Sequence, residues 1–538
     1  MDPPPPTSGP AAGWFADPAG QSGLRWWDGT AWTEHTAPWP DPAPAPAPTP
    51  PPRRRSRALI ITLVVVVIGG LAGGLALSQP SSNQSWPNGI GPIAAFVSKD
   101  RGLAFLHSVP IHFQAPKAFD KQIASQDQAD TPSERADVRR LSAQYRALGL
   151  IGGSVNLVGA QTALDSGGVL AYYSDAQKDI TVRGTTLTPA TKVTIAHEMT
   201  HALQDQHFNL TKLDNRADTS DKSFAMTAVE EGDAVLTQND YTGSLSPAEQ
   251  RKANAEENAP DTSTPPSGPA PSAGPTGNSD YLDVTSAVPY VLGPDFVLVL
   301  YNVGGIPMIN GAFTHPPASE LDIVNPTAYL LGQRTRDLRP PVLSSGEKRD
   351  GAPDTFGAFD TYMTLSGRMD ARSALAAADA WDGGSMIQYT EAGKTCTKFD
   401  VVGATSAQSN VLSAAFSAWA HALPPQQATV TQRGQTTDVV ACDPGSSGTA
   451  GTRSREHALD LIDERNTNIA SAYLYANLRP RAALCVGDLS INDPTLLNAE
   501  NTANSSFSAP GASVQKAIDS QTRQLIATCE ARGDQLSP

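Results

Sequence analysis

The chain has 538 residues, which is long enough for two or three domains with a substantial core. Charged residues make up 17% of it, and the formal net charge is −15. This acidic balance argues against a nucleic-acid partner, because phosphate binding requires clustered Lys and Arg side chains.

Two short segments open the chain. Residues 1–10 are rich in proline and are predicted to be disordered. Residues 11–36 contain four tryptophans and an Asp28-Gly29 pair typical of hairpin turns, which predicts a very small folded domain. This stretch resembles a short Trp-rich domain of unknown function that precedes membrane spans in high-GC bacteria. It is either an interaction module or an undersized domain whose tryptophans serve only as its core.

A membrane anchor is predicted to follow. Residues 37–57 form a proline-rich linker that ends in four arginines, and residues 58–77 carry no charge. A run of this length can span a bilayer as one helix. The arginines place the N-terminus in the cytoplasm and the rest of this single-pass protein outside the plasma membrane. A signal peptide is the alternative, because Ala76-Leu77-Ser78 resembles a cleavage site, although signal sequences have shorter apolar regions.

Residues 78–93 form a polar tether to an ectodomain whose first part is predicted to span residues 94–345. Its early elements are a strand at 109–113, a helix at 133–148 that Ser133 can cap, and a hairpin of strands at 169–173 and 179–183.

The central motif of the chain is HEMTH, residues 197–201. Thr188 and Pro189 predict the start of a helix, and no further proline or glycine interrupts it before residue 207. Positions four apart lie on one face of a helix, so His197 and His201 can bind one zinc ion. Glu198 points about 100° round the helix, toward a metal-bound water.

A third ligand is available downstream. The sequence AVEEGDA at residues 228–234 lies in a second predicted helix, and zinc sites of the His₂Glu type take their glutamate from such a helix. HExxH also occurs by chance, but many chance matches lie in loops or lack this third ligand.

HEMTHALQDQHFNL followed by AVEEGDA resembles the gluzincin metallopeptidases, and in particular a bacterial membrane-linked group with HE-x-THALQDQHF and EG-[DE]-A. The resemblance implies an α+β, zincin-like ectodomain with an active-site helix. It implies His197, His201 and Glu231 as zinc ligands and Glu198 as the catalytic base. Glu231 is preferred to Glu230 because the ligand of the family directly precedes the glycine. It further implies that the strand at residues 180–184 binds the substrate as an added strand.

The expected reaction is hydrolysis of a protein or peptide substrate by water that zinc and Glu198 activate. Three side chains can stabilise the oxyanion, and the sequence does not choose among Tyr290, His207 and His315. Asp205 and Asp233 can each either orient a ligand histidine or be a carboxylate without a role in the site.

The remainder of the chain shows no further chemistry. Residues 253–280 predict a disordered insertion, and residues 288–303 a buried helix. Residues 346–443 predict a small α+β lobe, residues 444–454 a hinge, and residues 455–538 a helical region.

All four cysteines follow the predicted membrane span, as expected for two disulfides in an oxidising compartment. Three connectivities are possible. Pairing of Cys396 with Cys442 and of Cys485 with Cys529 is predicted because each bond would close one local unit.

Two classes of function follow from these features. One is a membrane-anchored, extracytoplasmic zinc endopeptidase. The other is a catalytically silent zinc-binding surface protein that keeps the zincin fold, although such a protein would have little reason to retain Glu198. A structural cell-wall protein with an accidental motif is a third possibility.

Overall fold

The computed structural model describes residues 13–16, 24–27, 31–37, 86–126, 131–153, 155–160, 169–257, 279–494, 496 and 512–532. Internal contacts divide the chain into two compact units, Met1–Arg57 and Ala58–Pro538. The predicted span at 58–77 lies outside the described residues, as do residues 1–10, residues 38–57 of the linker and residues 78–85 of the tether.

The first unit contains a small antiparallel sheet in chain order, made of β1 (Gly13–Ala16), β2 (Leu24–Trp27) and β3 (Trp32–Ala37). Trp14 pairs with Trp26, and Trp27 pairs with Trp32. The predicted Asp28-Gly29 turn falls between β2 and β3 but lies outside the described residues.

The second unit mixes helices and strands, which agrees with the predicted α+β class. Its first half contains α1 (Gly91–Asp100), β4 (Ile111–Gln114), α2 (Pro116–Gln126), α3 (Pro132–Leu148), β5 (Ala171–Ser174), β6 (Asp179–Arg183), α4 (Pro189–Phe208), α5 (Leu210–Asp214), α6 (Ser220–Ser244), α7 (Pro247–Glu257) and α8 (Ser279–Thr314). Its second half contains α9 (Glu320–Val324), α10 (Pro326–Leu330), β7 (Lys348–Arg349), α11 (Ala358–Ser366), α12 (Ala371–Asp379), β8 (Trp381–Glu391), β9 (Lys394–Gly403), α13 (Ser406–His421), β10 (Ala428–Arg433), β11 (Thr436–Cys442), α14 (Arg455–Ala476), α15 (Pro480–Ser490) and α16 (Ala512–Arg532).

Local capping sets where the helices begin. The side chain of Thr188 accepts a hydrogen bond from Thr191 N, so α4 begins at the predicted residue. The cap predicted for α3 was wrong. Thr131 caps this helix in a reciprocal arrangement with Glu134, while Ser133 already lies inside it. The insertion predicted to be disordered, residues 253–280, begins and ends in helices, because α7 extends to Glu257 and α8 starts at Ser279.

A three-stranded sheet lies beside α4, with the order β4-β6-β5. Strand β6 is parallel to β4 and antiparallel to β5, so both of its edges are hydrogen-bonded. The expectation that residues 180–184 receive a substrate strand is therefore wrong, because strand addition requires a free edge. The edge nearest α4 belongs to β5, since Tyr173 N of β5 donates to Glu198 of α4.

The main hydrophobic core joins segments that the sequence suggested were separate. It includes Tyr145 of α3, Val288 of α8, Phe399 of β9 and Leu461 of α14, all with little or no exposed surface. The predicted hinge at 444–454 also packs against this part of the protein, because Gly451 N donates a hydrogen bond to the backbone oxygen of residue 149 over 2.9 Å. Residues from 94–345, 346–443 and 455–538 thus contribute to one core.

Helices α6 and α8 cross with their backbones in contact. A Cβ atom on Gly232 of α6 would lie 2.2 Å from the backbone carbon and oxygen of Gly293 in α8. A Cβ atom on Gly293 would lie 2.4 Å from Ala228 O. Only glycine fits at these two positions, and the close crossing brings the residues beside Gly232 next to those beside Gly293.

The same helix α8 is the one described helix, over Asp280–Thr314, that is long and apolar enough to cross a membrane. Length and composition alone are weak evidence, because core helices share them. Leu292, Phe296 and Leu300 of this helix are fully buried in the main core. Up to Leu300 the helix packs as a core helix, as predicted for residues 288–303, but Tyr301 and Val303 at the end of that stretch are exposed.

Three carboxyl groups meet where α6, α9 and α11 begin; those of Asp221 and Glu320 are buried, and that of Asp360 is half-buried. Glu320 N donates to Asp221 over 2.6 Å, and Asp360 N donates to the Glu320 carboxylate over 3.0 Å. Backbone amides at helix N-termini thus hold three acidic side chains close together.

The cysteines pair as predicted. The sulfur atoms of Cys396 and Cys442 are 2.01 Å apart, and those of Cys485 and Cys529 are 2.12 Å apart. The first bond joins β9 to β11 directly opposite each other in the five-stranded sheet β10-β11-β9-β8-β7. The second joins α15 to α16.

Candidate metal centre

Helices α4 and α6 bring three side chains to one point. The Nε2 atoms of His197 and His201 lie 3.1 Å apart, and Glu231 Oε2 lies 3.1 Å from the first and 3.4 Å from the second. All three residues are buried, and within the described part of the chain they form a group able to hold a metal ion. Glu231 therefore joins the two histidines, as expected, and Glu230 does not.

The spacing of these three atoms fits a tetrahedral ion. Zinc binds His nitrogen and carboxylate oxygen at about 2.0–2.1 Å, which puts neighbouring ligand atoms about 3.3 Å apart in a tetrahedral site. The observed separations of 3.1 to 3.4 Å scatter around this value. Two imidazoles and one carboxylate are also a donor set that suits zinc, with room for a fourth ligand in a catalytic site.

The electrostatics of the group favour a cation. Burial raises the pKa of Glu231, but the two histidines outweigh this effect and hold the pKa well below its usual value. Burial lowers the pKa of His201, but the Glu231 carboxylate outweighs it and raises the pKa to about 10. The ionised carboxylate thus attracts positive charge to the two ring nitrogens, which a metal ion can supply.

Glu198 lies on the same helix with its carboxylate directed at β5. Its Oε2 accepts a hydrogen bond from Tyr173 N over 2.8 Å. Burial raises the pKa of Glu198, against the lowering effect of the two histidines and of this N–H group. A buried carboxylate with a raised pKa beside a candidate metal centre is suited to accept a proton.

Asp205 does not orient a ligand histidine. Its carboxylate accepts from the Tyr173 hydroxyl over 2.6 Å and forms an ion pair with Lys178 over 2.5 Å. It also accepts from Leu210 N, just beyond the end of α4. Asp205 instead fastens β5 to the helix, and the backbone of the same Tyr173 contacts Glu198.

The residue that contacts a ligand histidine is Gln204, which the sequence analysis did not single out. Its Oε1 lies 3.1 Å from His201 Nδ1. Its Nε2 donates to Asp233 over 2.8 Å, so Asp233 is connected to the centre through Gln204. The available signal was helical spacing, because Gln204 lies three residues after His201 and thus on the same face.

The structure separates the three candidates for an oxyanion donor. The ring of Tyr290 lies 6.2 Å from the ring of His197 in a stacked arrangement, on helix α8. His207 Nε2 lies 2.8 Å from Ala104 O, at the exposed end of α4. His315 follows the end of α8 and contacts the neighbouring Thr314 hydroxyl. Of these contacts, only that of Tyr290 is with a residue of the metal-ligand group.

Glu230 is buried and is not part of the metal-ligand group. Its side chain is 1% exposed, and neither carboxyl oxygen has a hydrogen-bond partner in the described part of the chain. Burial, with the charge of Asp214 next in importance, raises its pKa well above the usual value. These surroundings differ from those of Glu231, which contacts both histidines.

Comparison with known proteins informs only the N-terminal unit. Residues 12–51 match a family described as a protein of unknown function, DUF2510. This match covers the Trp-rich segment from residue 12, extends into the predicted proline-rich linker, and does not reach the candidate metal centre. No curated protein and no solved structure matches the chain.

Proposed function

We propose that this protein is a zinc-dependent metallopeptidase of the gluzincin type, with a zincin-like catalytic unit. The observation that carries the proposal is the convergence of His197, His201 and Glu231, with Glu198 placed beside them on the ligand helix. The near-tetrahedral spacing of the three donor atoms supports zinc over a chance match of the HExxH pattern.

The chain's own residues supply the remaining chemistry. Zinc, when bound, would polarise the scissile carbonyl and acidify the attacking water. Glu198 takes the proton of that water and delivers it to the leaving amine, for which its raised pKa suits it. Tyr290 donates a hydrogen bond to the oxygen on which negative charge develops.

The edge of β5 supports binding of an extended peptide. Leu170 O accepts from Arg183 N, so alternate residues of the antiparallel pair, Ala171 and Tyr173, direct their backbone groups to the outer edge. Tyr173 N on this edge already contacts Glu198. A substrate added along β5 would therefore run past the catalytic base.

A location outside the plasma membrane is part of the proposal. Two disulfides suit an oxidising compartment. The uncharged run at 58–77, preceded by arginines, supports a single-pass anchor with a cytoplasmic N-terminus.

The test is Glu198→Gln in the full-length protein, purified in detergent. The variant is expected to keep about one zinc per chain and to lose hydrolysis of a peptide library, because the amide cannot take up the proton. His201→Ala is the matched control and is expected to lose the metal. Equal hydrolysis by Glu198→Gln and wild type would refute the mechanism. A folded wild-type protein that binds no supplied zinc would refute the metal site.

If the wild-type protein binds zinc but hydrolyses no peptide of the library, the alternative is favoured, namely a zinc-binding surface protein without catalytic activity.

A further inference from the structure

A chain of polar contacts leads from the metal-ligand group to the far end of helix α1. His201 Nδ1 contacts Gln204, Gln204 contacts Asp233, and Asp233 forms an ion pair with Arg101. We propose that Arg101, Asp233 and Gln204 act as a positioning relay that fixes the tautomer and ring orientation of His201 and thereby sets metal affinity. The inference rests on the metal site of the proposed function.

The orientation of the Gln204 amide follows from its two other partners. Its Nε2 lies 3.0 Å from Glu230 O and 2.8 Å from Asp233 Oδ2. A backbone carbonyl and a carboxylate only accept hydrogen bonds, so the amide NH₂ group must face them. Gln204 Oε1 is then the atom that faces His201.

The amide orientation in turn fixes the proton on the histidine. An amide oxygen only accepts, so His201 Nδ1 carries the proton in the 3.1 Å contact with Gln204. Nε2 faces Glu231 and His197, so a metal that replaces the second proton of the ring would bind there. Loss of a partner that holds the second ring nitrogen in this way typically weakens metal affinity by about 10-fold to 100-fold.

Arg101 holds the outer end of the relay. Its Nε lies 2.7 Å from Asp233 Oδ1, and both side chains are almost completely buried. Its guanidinium also donates to Asn310 of α8 over 3.0 Å. Arg101 directly follows α1, while Asp233 lies on α6 and Gln204 on α4. The relay therefore ties the orientation of one ligand ring to the packing of three other helices.

The first test is Gln204→Met, which keeps the length of the side chain but removes both its acceptor and its donors. The dissociation constant for Zn²⁺, measured by competition with a chromophoric chelator, is expected to rise by about 10-fold to 100-fold. Gln206→Met is the matched control. Gln206 lies on the same helix and bonds to the backbone of Leu106 and His107, without contact to a ligand. Its substitution should leave zinc affinity within about 2-fold of wild type.

Thermal unfolding of the metal-free variants separates positioning from general stability. Both substitutions remove hydrogen bonds that anchor α4, so the two variants should lose melting temperature to a similar extent. Only Gln204→Met should also weaken zinc binding. Loss of zinc affinity in proportion to the loss of melting temperature in both variants would overturn the proposal.

The second test asks whether Asp233 acts through Gln204. Asp233→Asn should weaken zinc binding in the wild-type background, and this effect should shrink severalfold when Gln204 is already methionine. Equal effects in the two backgrounds would overturn the relay. Wild-type zinc affinity in Gln204→Met would also overturn it, yet would leave the proposed function intact. A wild-type protein without zinc affinity would instead defeat the proposed function itself.

Discussion

The crossing of α6 and α8 makes a sharp prediction for Gly232→Ala. The added methyl group would lie 2.2 Å from the backbone carbon and oxygen of Gly293. Ordinary contact between such atoms requires about 3.5 Å, so the two helices must separate by about 1 Å. A change of side-chain rotamer cannot relieve this overlap, because the backbone carbon and oxygen of Gly293 belong to helix α8 and move only with it.

The separation should reduce both stability and metal binding. Overpacking of a well-packed interface typically costs about 1–3 kcal/mol, and backbone contact places this substitution at the upper end of that range. Glu231 directly precedes Gly232 and lies 3.1 Å from His197. A shift of about 1 Å would exceed the tolerance of metal–ligand distances, which is about 0.2 Å, so zinc affinity should fall at least 10-fold.

Gly243→Ala provides the matched control on the same helix. In the described part of the chain, no atom other than those of the adjacent residues and of the nearby turns of the helix's own backbone lies within 4 Å of a Cβ built at Gly243. Alanine in an exposed helix should leave the free energy of unfolding unchanged or raise it by up to about 1 kcal/mol. Denaturant unfolding and Zn²⁺ titration of both variants are the measurements. If Gly232→Ala unfolds and binds zinc like Gly243→Ala, the inferred backbone contact between α6 and α8 is incorrect.

Two further predictions concern pH and catalysis. Burial above all raises the pKa of Asp221 to about 8 and that of Asp360 to about 7, above their unfolded values near 4. The folded protein therefore holds the protons of these two carboxyl groups more tightly than the unfolded chain does. The resulting stabilisation is complete below about pH 4 and is lost as the pH rises to about 8, so the free energy of unfolding should be higher at pH 5.5 than at pH 8. Asp360→Asn should reduce this difference by roughly 1–3 kcal/mol, and an unchanged pH dependence in urea unfolding would contradict the assignment. Tyr290→Phe should lower the rate of peptide hydrolysis about 100-fold with zinc content unchanged, whereas an unaltered rate would exclude Tyr290 as the oxyanion donor.

Patterns among residues close together in the sequence were sufficient to predict helix α4, which presents the two histidines. Thr188 and Pro189 marked the start of α4, and the spacing of His197 and His201 placed both on one face, because the helical repeat fixes which positions lie together. The error at Ser133 has the same local origin. Several residues near a helix start can act as a cap, and the reciprocal bonds of Thr131 with Glu134 decided among them.

The sequence by itself thus determined the two histidines that can bind a metal and the helix that presents them, while the resemblance to the gluzincins selected Glu231 over Glu230. It also indicated the pairing of the four cysteines. These features depend on residue chemistry and on local repeats, both of which can be read along the chain.

Only the tertiary structure decided what surrounds those residues. The order β4-β6-β5 placed β5, and not β6, at the edge beside Glu198, because strand order depends on pairing between distant segments. The contact of Gly232 with Gly293 and the ion pair of Arg101 with Asp233 likewise join residues far apart in the chain. Such contacts arise when helices and strands pack, and no periodicity within one segment specifies them.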